Sequence, residues 1–537
     1  MKLKKELFKN IGITFGGALV LYYFMLPPLH IQAPSFWVYV ILVMVIYIVI
    51  TMKKKDVAVE IIKKGEVKPS MLVPSKLVYV IIVIVVVILG INLFLSPLFA
   101  ADAYSRRIII DDTKAFIEDV APVDWNSVPL LDKASSQRLG DRAMGDMVDL
   151  VSQFRVSDLY TQINFNGEIV RVTPLEYADV IKYFTNRRDG VKGYIIVNSV
   201  NGEATLVRLE EGKGMRYMPS ALFFENLNRR LRIKYPTKIF GQKTFEIDDE
   251  GKPFWIVPTI RYVGIGLREE INGVIVFNPV NAESNFYNLD EVPEWVDHVY
   301  NARLITEQIN DWGNYRNGFW NSLFAQRNVV NTTEGYNYLA INGDIYMYTG
   351  ITSVAADQSI VGFVLTNLRT KKTGFYAVSG AKEQSAMRSA EGLVQQMRFN
   401  ATFPLLINLN DRPTYLLSLK DDAGLVKKFA FVDVADYQRV VATDSSLGIQ
   451  EAARRYLESL GVDYDDKEDE IIEVRSITSA VIDGTTIYYI TDRNNYQYSV
   501  SITVNRNLLP FVRVGDRLSI RHVEDGIRVI TKIERYR

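Results

Sequence analysis

The chain of 537 residues has no cysteine and only three histidines, His30, His298 and His522. The first absence excludes disulfides, iron–sulfur clusters, thiolate zinc sites and cysteine nucleophiles. It leaves the redox compartment open, because a cysteine-free exported protein suits either environment. The second absence removes most histidine chemistry, since a two-histidine metal site would have to gather distant residues and His30 sits among apolar segments. No P-loop, G-x-S-x-G or H-E-x-x-H pattern is present, so the sequence supplies no catalytic, cofactor-binding or metal-ligating residues. A basic domain is missing as well. Lys plus Arg equals Asp plus Glu at 62 each, yet residues 1–100 hold eleven basic and four acidic residues, leaving 51 and 58 for the rest. A mildly acidic body of that kind is poorly suited to neutralising phosphates, which argues against nucleic acid as the main partner.

What the chain does have is long apolar runs, all in its first fifth. Leu77 to Ala100 reads LVYVIIVIVVVILGINLFLSPLFA without a charge. As a helix it would be about 36 Å long, enough to cross a hydrocarbon core of roughly 30 Å. Ile11 to Leu26 and Phe36 to Met52 form two further runs joined by a short uncharged loop. The first could open a secretory signal, but no small-x-small cleavage site follows it. Residues 1–100 therefore read as a three-span anchor. The basic segments 1–10 and 53–76 belong in the cytoplasm by the positive-inside rule, which puts residues 101–537 on the extracytoplasmic side of a plasma membrane. Arg106 and Arg107 oppose this weakly. Gly12 and Gly16 form a G-x-x-x-G, a close-packing face for another helix.

Residues 101–160 have helical spacing, with Leu139, Met144, Met147, Val148, Val151 and Phe154 on the apolar side and Ser135 or Ser136 as the cap, and read as a helical stalk or linker. From about Ile163 short alternating runs are separated by Asn-Gly, Asp-Gly and other glycine turns. Four clusters share an order of hairpin, then second hairpin: GYIIVNSVNGEATLVRLEEG; FEIDDEGKPFWIVPTI with INGVIVFNPVNAESNFYNL; YLAINGDIYMYTGIT with IVGFVLTNLRTKKTGFYAVSG; and FPLLINLNDRPTYLLSLKDDAGLVKKFAFVDVADYQRVV. This is approximate repetition of a supersecondary unit without a strict period. Residues 161–300 and 301–462 then form two α+β regions.

A helix followed by such a meander, with Asn272-Gly273 and Asn281-Ala282-Glu283 at its turns, resembles the PepSY and cystatin-like units of membrane-anchored envelope proteins in Gram-positive bacteria. The resemblance implies protein binding, peptidase modulation or envelope scaffolding, and it carries no catalytic residue.

Asp463 to Glu470 is an acidic linker that lacks the mid-loop glycine and ligand spacing of an EF-hand. Residues 471–537 then show five short strands with Asp483-Gly484, Gly515-Asp516 and Asp525-Gly526 turns, the pattern of a small OB-like or SH3-like barrel. Tyr488, Tyr489, Tyr496, Tyr498, Arg513, Arg517, Arg521 and Arg528 could give it a nucleic-acid face. A protein-contact module is the plainer reading.

Three constellations bear on chemistry. Ser379-Gly380-Ala381-Lys382 is an S-x-x-K with Lys372-Thr373-Gly374 just before it, the reverse of the order in penicillin-binding enzymes. Asp111-Asp112 and Asp248-Asp249-Glu250 are carboxylate clusters that turn or cap geometry also explains. The stretch DWGNYRNGFWNSLF places Trp312, Tyr315, Phe319, Trp320 and Phe324 together, either as core contact between units or as an aromatic loop that binds a partner or cell-wall glycan. The expectation is an α+β membrane protein: three spans, antiparallel sheet units with packed helices, and a terminal small β barrel. Its work is to bind and organise envelope proteins, with homo-oligomerisation compatible. The alternatives are an envelope hydrolase whose carboxylates converge in the fold and a transport or secretion component.

Overall fold

The structure is a computed structural model that describes residues 2–51, 76–111, 116–123, 125, 128–145, 147–354, 359–462, 470–482, 484–525 and 527–536. It is mixed helix and sheet. Three helices contain segments long and apolar enough to cross a membrane, Leu7–Met25, Pro34–Thr51 and Lys76–Phe94. The third is shorter than the apolar run suggests. It stops at Phe94, and Pro97 opens a separate helix, Pro97–Ser105. Proline has no N–H to continue the ladder but suits a first helical position. The remaining 19 residues still reach about 28 Å. Gly12 and Gly16 face open space, whereas Gly17 meets Ile46 of the second span, so the G-x-x-x-G is not a contact between the described spans.

Residues 101–160 do not stand off as a stalk; they are laid across the body. Ile110–Asp111 forms a short strand, β1. The Val123 amide donates to Asn408 O, and the Leu130 and Leu131 amides both donate to Ser199 O. The helix Lys133–Gly145 begins two or three residues before the expected caps. Asp132 Oδ1 accepts the Ser135 amide instead, and Ser136 is buried inside the helix.

The body repeats one topology four times. The first unit has β2 (Phe154–Val156), β3 (Thr161–Phe165), β4 (Glu168–Tyr177), β5 (Gly193–Asn198) and β6 (Ala204–Arg208). The second has β7 (Ile239–Phe240), β8 (Thr244–Ile247), β9 (Pro253–Val263), β10 (Arg268–Phe277) and β11 (Ser284–Tyr287). The third has β12 (Val330–Thr332), β13 (Asn337–Ile341), β14 (Asp344–Ser353), β16 (Gly362–Asn367) and β17 (Thr373–Tyr376), with a side pair, β15 (Ser359–Ile360) and β18 (Gly380–Ala381). The fourth has β19 (Asn400–Ala401), β20 (Leu405–Leu409), β21 (Arg412–Lys420), β22 (Val426–Asp433) and β23 (Val440–Asp444). In every unit the first two strands are halves of one broken edge strand, both paired with the long third strand, and the fourth and fifth follow as a meander. The region expected at 301–462 holds the third and fourth units whole, whereas the first unit begins ahead of the region expected at 161–300: Phe154, placed at helical spacing from sequence, is in β2, which pairs with β4.

Local chemistry repeats with the topology. The turn after β3 uses Asn166-Gly167, after β13 Asn342-Gly343 and after β20 Asn410-Asp411, all with positive φ, the geometry of two-residue hairpin turns matched to strand twist. After the fourth strand comes an Asx turn each time. Asn198, Asn278, Asn367 and Asp433 accept two following amides through Oδ1.

Residues 463–469 of the acidic stretch lie outside the described residues, and Glu470 belongs to the next strand. β24 (Glu470–Ile482), β25 (Thr485–Asp492), β26 (Gln497–Ser501), β27 (Arg517–Asp525) and β28 (Ile527–Arg535) are joined in the order β24-β25-β26-β28-β27. β24 also pairs with β27, closing the set, and β26 runs parallel to β28.

Candidate functional site

The joint between anchor and body is built from residues far apart in sequence. Asn92, near the end of the third span, donates from Nδ2 to Ile265 O (3.0 Å) and accepts the Ile265 amide at Oδ1 (2.9 Å). Ile265 lies at the tip of the β9–β10 hairpin. Gly266 beside it has φ +72°, and an added Cβ would lie 2.2 Å from the Pro34 ring at the start of the second span, so the tip requires glycine here. The loop between the first two spans docks on the same unit. The Leu29 amide donates to Pro236 O (2.8 Å) and Arg232 Nε to Leu26 O (3.0 Å), so this loop and the body share one side of the spans.

A buried ionic node lies just beyond. Arg107 Nε pairs with Glu270 (2.6 Å), its Nη2 donates to Glu269 O (2.6 Å), and its Nη1 meets Asp311. Arg268 reaches the same Asp311 (3.2 Å), and Lys371 Nζ donates to Arg107 O (2.5 Å) while lying 3.6 Å from Glu270. Burial pulls the Lys371 ammonium below its ordinary range, and Glu270 opposes the shift. Arg107 is thus neutralised inside the body and is not a free charge beside the membrane.

Next to the node a cleft of about 720 Å³ opens between Arg106, Arg107, Tyr300, Tyr346, Lys371 and Lys372. Ile341 and Asn342 line both this cleft and an apolar groove of about 200 Å³ between Leu339–Asn342 and Leu405–Asn408. The groove separates the broken edge strands of the third and fourth units.

The aromatic residues expected to act together split into two groups. Trp312 and Tyr315 lie on the helix Ala302–Tyr315 and are half-buried. Trp312 carries Arg316 over its ring at 4.5 Å, and Tyr315 meets Tyr104 edge-on at 6.0 Å. Phe319, Trp320 and Phe324 belong to the following short helical segment, a π-helical turn over Asn321–Ala325, where Trp320 stacks on Phe324 at 5.8 Å and both are exposed.

The other constellations resolve into structure. Lys382 precedes the helix Glu383–Leu393 as its N-cap while Ser379 lies before β18, and Thr373 and Gly374 are strand residues paired with Thr366 and Leu365. Asp248 Oδ1 accepts the Glu250 and Lys252 amides in a hairpin turn. Asp111 ends β1, and Asp112 lies outside the described residues. His30, His298 and His522 do not converge. His30 accepts the Gln32 amide, His298 Nε2 donates to Gln162 O (2.6 Å), and His522 meets Glu470 (3.0 Å). Among the described residues no group of three or more metal-ligating side chains occurs.

Two carboxylates do converge, in a buried seam between units. Glu246 accepts the Asp297 amide (2.9 Å) and the Thr244 hydroxyl (2.8 Å), and Asp297 accepts the Asn164 amide (2.7 Å). Burial raises both carboxyl groups above their ordinary range, with Glu246 adding to the shift of Asp297. Glu246 has no exposure and Asp297 2%, and both are held by main-chain amides, so the pair fastens units together.

The Asn92 clamp and the Arg107 node are absent from the sequence reading. Asn92 left a readable trace as the lone amide deep in an apolar run; the node's partners, 163 and 204 residues from Arg107, left none.

No family model and no curated protein matches the chain. Among solved structures, a Synechocystis apocarotenoid oxygenase mutant aligns at 9% identity and a TM-score of 0.13, over 53% of this chain and 47% of that one. An ACO/RPE65 chimera aligns at 8% identity and 0.13, over 52% and 46%. The chain spans about half the length of these structures, and likenesses this loose bear on neither fold nor chemistry.

Proposed function

We propose that this chain is a membrane-anchored, extracytoplasmic binding protein that organises or regulates other proteins of the cell envelope without catalysing a reaction. Strand addition supports the reading. Between the third span and the first unit the chain meets two sheet edges in parallel and covers only part of each: Ile110–Asp111 pairs with Thr373–Gly374 of β17, and Pro122 makes a single bridge to Asn408 of β20. An open edge offers a row of main-chain donors and acceptors. Extended partner segments bind such edges by main-chain bonds, and adjoining pockets supply specificity. Edges that take up this chain's own segments suit those of another protein. The cleft beside Lys372 and the apolar groove it joins fit a segment with an acidic end and apolar side chains.

The outside placement rests on the basic segments 1–10 and 53–76. The four units read as PepSY-like or cystatin-like from their helix-then-meander order. The last five strands read as an OB-like barrel, because the first strand closes against the fourth and the third runs parallel to the fifth; on this chain it serves as a protein-contact module.

The test is photo-crosslinking in intact membranes with p-benzoylphenylalanine at Ile341, which lines both cavities, and at Asp249 as a reference. The expected result is a protein adduct at position 341 that Lys372→Glu weakens. Equal adducts at both positions, or lipid adducts alone at 341, would overturn the reading.

A further inference from the structure

Two exposed apolar patches on the body lie beside the ends of two different spans. The first surrounds the short helix Val180–Asn186. Tyr183 of that helix is buried, while Val180, Ile181 and Phe184 face outward, and Phe184 meets Phe223 at 6.2 Å. Phe223 has φ +50°, an uncommon conformation for a bulky side chain that turns it and Phe224 out of the body. Phe224 is 61% exposed and touches Tyr23 of the first span edge-on at 6.3 Å. Arg229 lies 4.2 Å over the same Tyr23 ring. This patch therefore begins two residues from the end of the first span at Met25.

The second patch is the short helical segment that follows the helix Ala302–Tyr315 and includes the π-helical turn Asn321–Ala325. The Tyr104 hydroxyl donates to Leu95 O at 2.9 Å, one residue past the third span, and Tyr104 packs on Tyr315 at 6.0 Å. The C-terminal end of that helix is thereby held beside the end of the third span. Five residues on, Trp320, Leu323 and Phe324 are 60%, 55% and 74% exposed. The turn is fixed by its own bonds, Asn321 Nδ2 to Arg327 O and the Arg327 amide to Asn321 Oδ1.

We infer that these patches are membrane contacts: the body is seated on the lipid leaflet, with Ile181, Phe184, Phe223 and Phe224 as one foot and Trp320, Leu323 and Phe324 as the other. Tryptophan favours the boundary between head groups and acyl chains, and phenylalanine and leucine supply the apolar face of surfaces that lie in it. An amphipathic surface of this kind enters that boundary by its apolar face. Lys182 lies within the helix of the first foot and Arg188 just beyond its end, the cationic chemistry that meets lipid phosphates. The seating does not depend on which side of the membrane the body occupies.

The absence of cysteine makes the test direct. Single variants Ile181→Cys and Leu323→Cys of the full chain are labelled with an environment-sensitive fluorophore and reconstituted in phosphatidylcholine–phosphatidylglycerol vesicles containing lipids spin-labelled near the head group. Asp249→Cys is the reference. It sits at the opposite end of β9 from the tip that touches Asn92, roughly 35 Å away along the strand. The expected result is loss of most of the emission at 181 and 323 and little at 249. Quenching at 181 and 323 no greater than at 249 would overturn the inference. So would a blue-shifted but unquenched probe, which would mean that protein, a second copy or a partner, covers the patches.

Discussion

Arg107 and Asp311, 204 residues apart in sequence, form a buried ion pair that ties the segment leaving the third span to the helix Ala302–Tyr315. Their side chains are 3% and 5% exposed, and Glu270 and Arg268 complete the charges around them. Removing one partner strands the other charge in a dry site. Arg107→Ala should therefore destabilise the body by about 3–5 kcal/mol, read by thermal unfolding of the purified chain in detergent. Arg107→Lys should recover little, because a single ammonium cannot replace the guanidinium's simultaneous bonds to Glu270, Asp311 and Glu269 O. Full recovery by lysine would mean that net charge alone matters at this site.

Asn92 makes a second prediction separable from the first. Asn92→Leu keeps the third span apolar but leaves the Ile265 amide and carbonyl without their partner. The loss of two hydrogen bonds should cost about 1–3 kcal/mol locally. It should appear as faster proteolysis within the β9–β10 tip, with the melting of the last five strands unchanged.

The repeated Asx turns predict interchangeability. Residues 198–203 and 278–283 make the same bonds within the turn, but the Ser199 amide also donates to Ile169 O, where Pro279 has no N–H to offer. Placing residues 278–283 at 198–203 should therefore cost about 1 kcal/mol, and the reverse replacement should be nearly neutral. Asn278→Ala should also cost about 1 kcal/mol, through the lost acceptor. A large cost from the reverse replacement would show that the turns are specialised.

The Glu246–Asp297 seam sets a pH dependence. Both carboxyl groups titrate higher in the folded chain than their ordinary 4.5 and 3.8, chiefly because burial disfavours the charged form. The folded state therefore holds protons that the unfolded state has released. The seam's contribution is fully present below the ordinary values and is lost as pH rises through the folded ones. Melting temperature measured from acid towards neutral pH should fall across that window. Glu246→Gln should flatten the fall and raise stability at neutral pH; an unchanged profile in this variant would assign the pH dependence elsewhere.

The apolar runs, the broken meanders and their turn residues are local signals, set by composition and by the two-residue and three-to-four-residue periods of strand and helix. From them three membrane-length apolar helices and a mix of helix and sheet are legible in the sequence, and the four clusters signal repetition. The boundaries were less so. The third apolar run continues past Phe94, and only the proline at 97 marks where the helix ends. The aromatic stretch was visible as a cluster but not as two groups, because Trp312 and Tyr315 are half-buried by contacts with Arg316 and Tyr104 that depend on the path of the chain. Composition and periodicity alone determined that this chain carries three helices long and apolar enough to cross a membrane and that its body is built from hairpins. Tertiary structure decided how the two are joined, through Asn92 and Ile265, through Arg107 and Asp311, and through the loops beside Tyr23 and Leu95. Those contacts link residues about 160 to 210 positions apart, or lie on surfaces that no local period encodes, so their energies arise only after the long loops between them have closed.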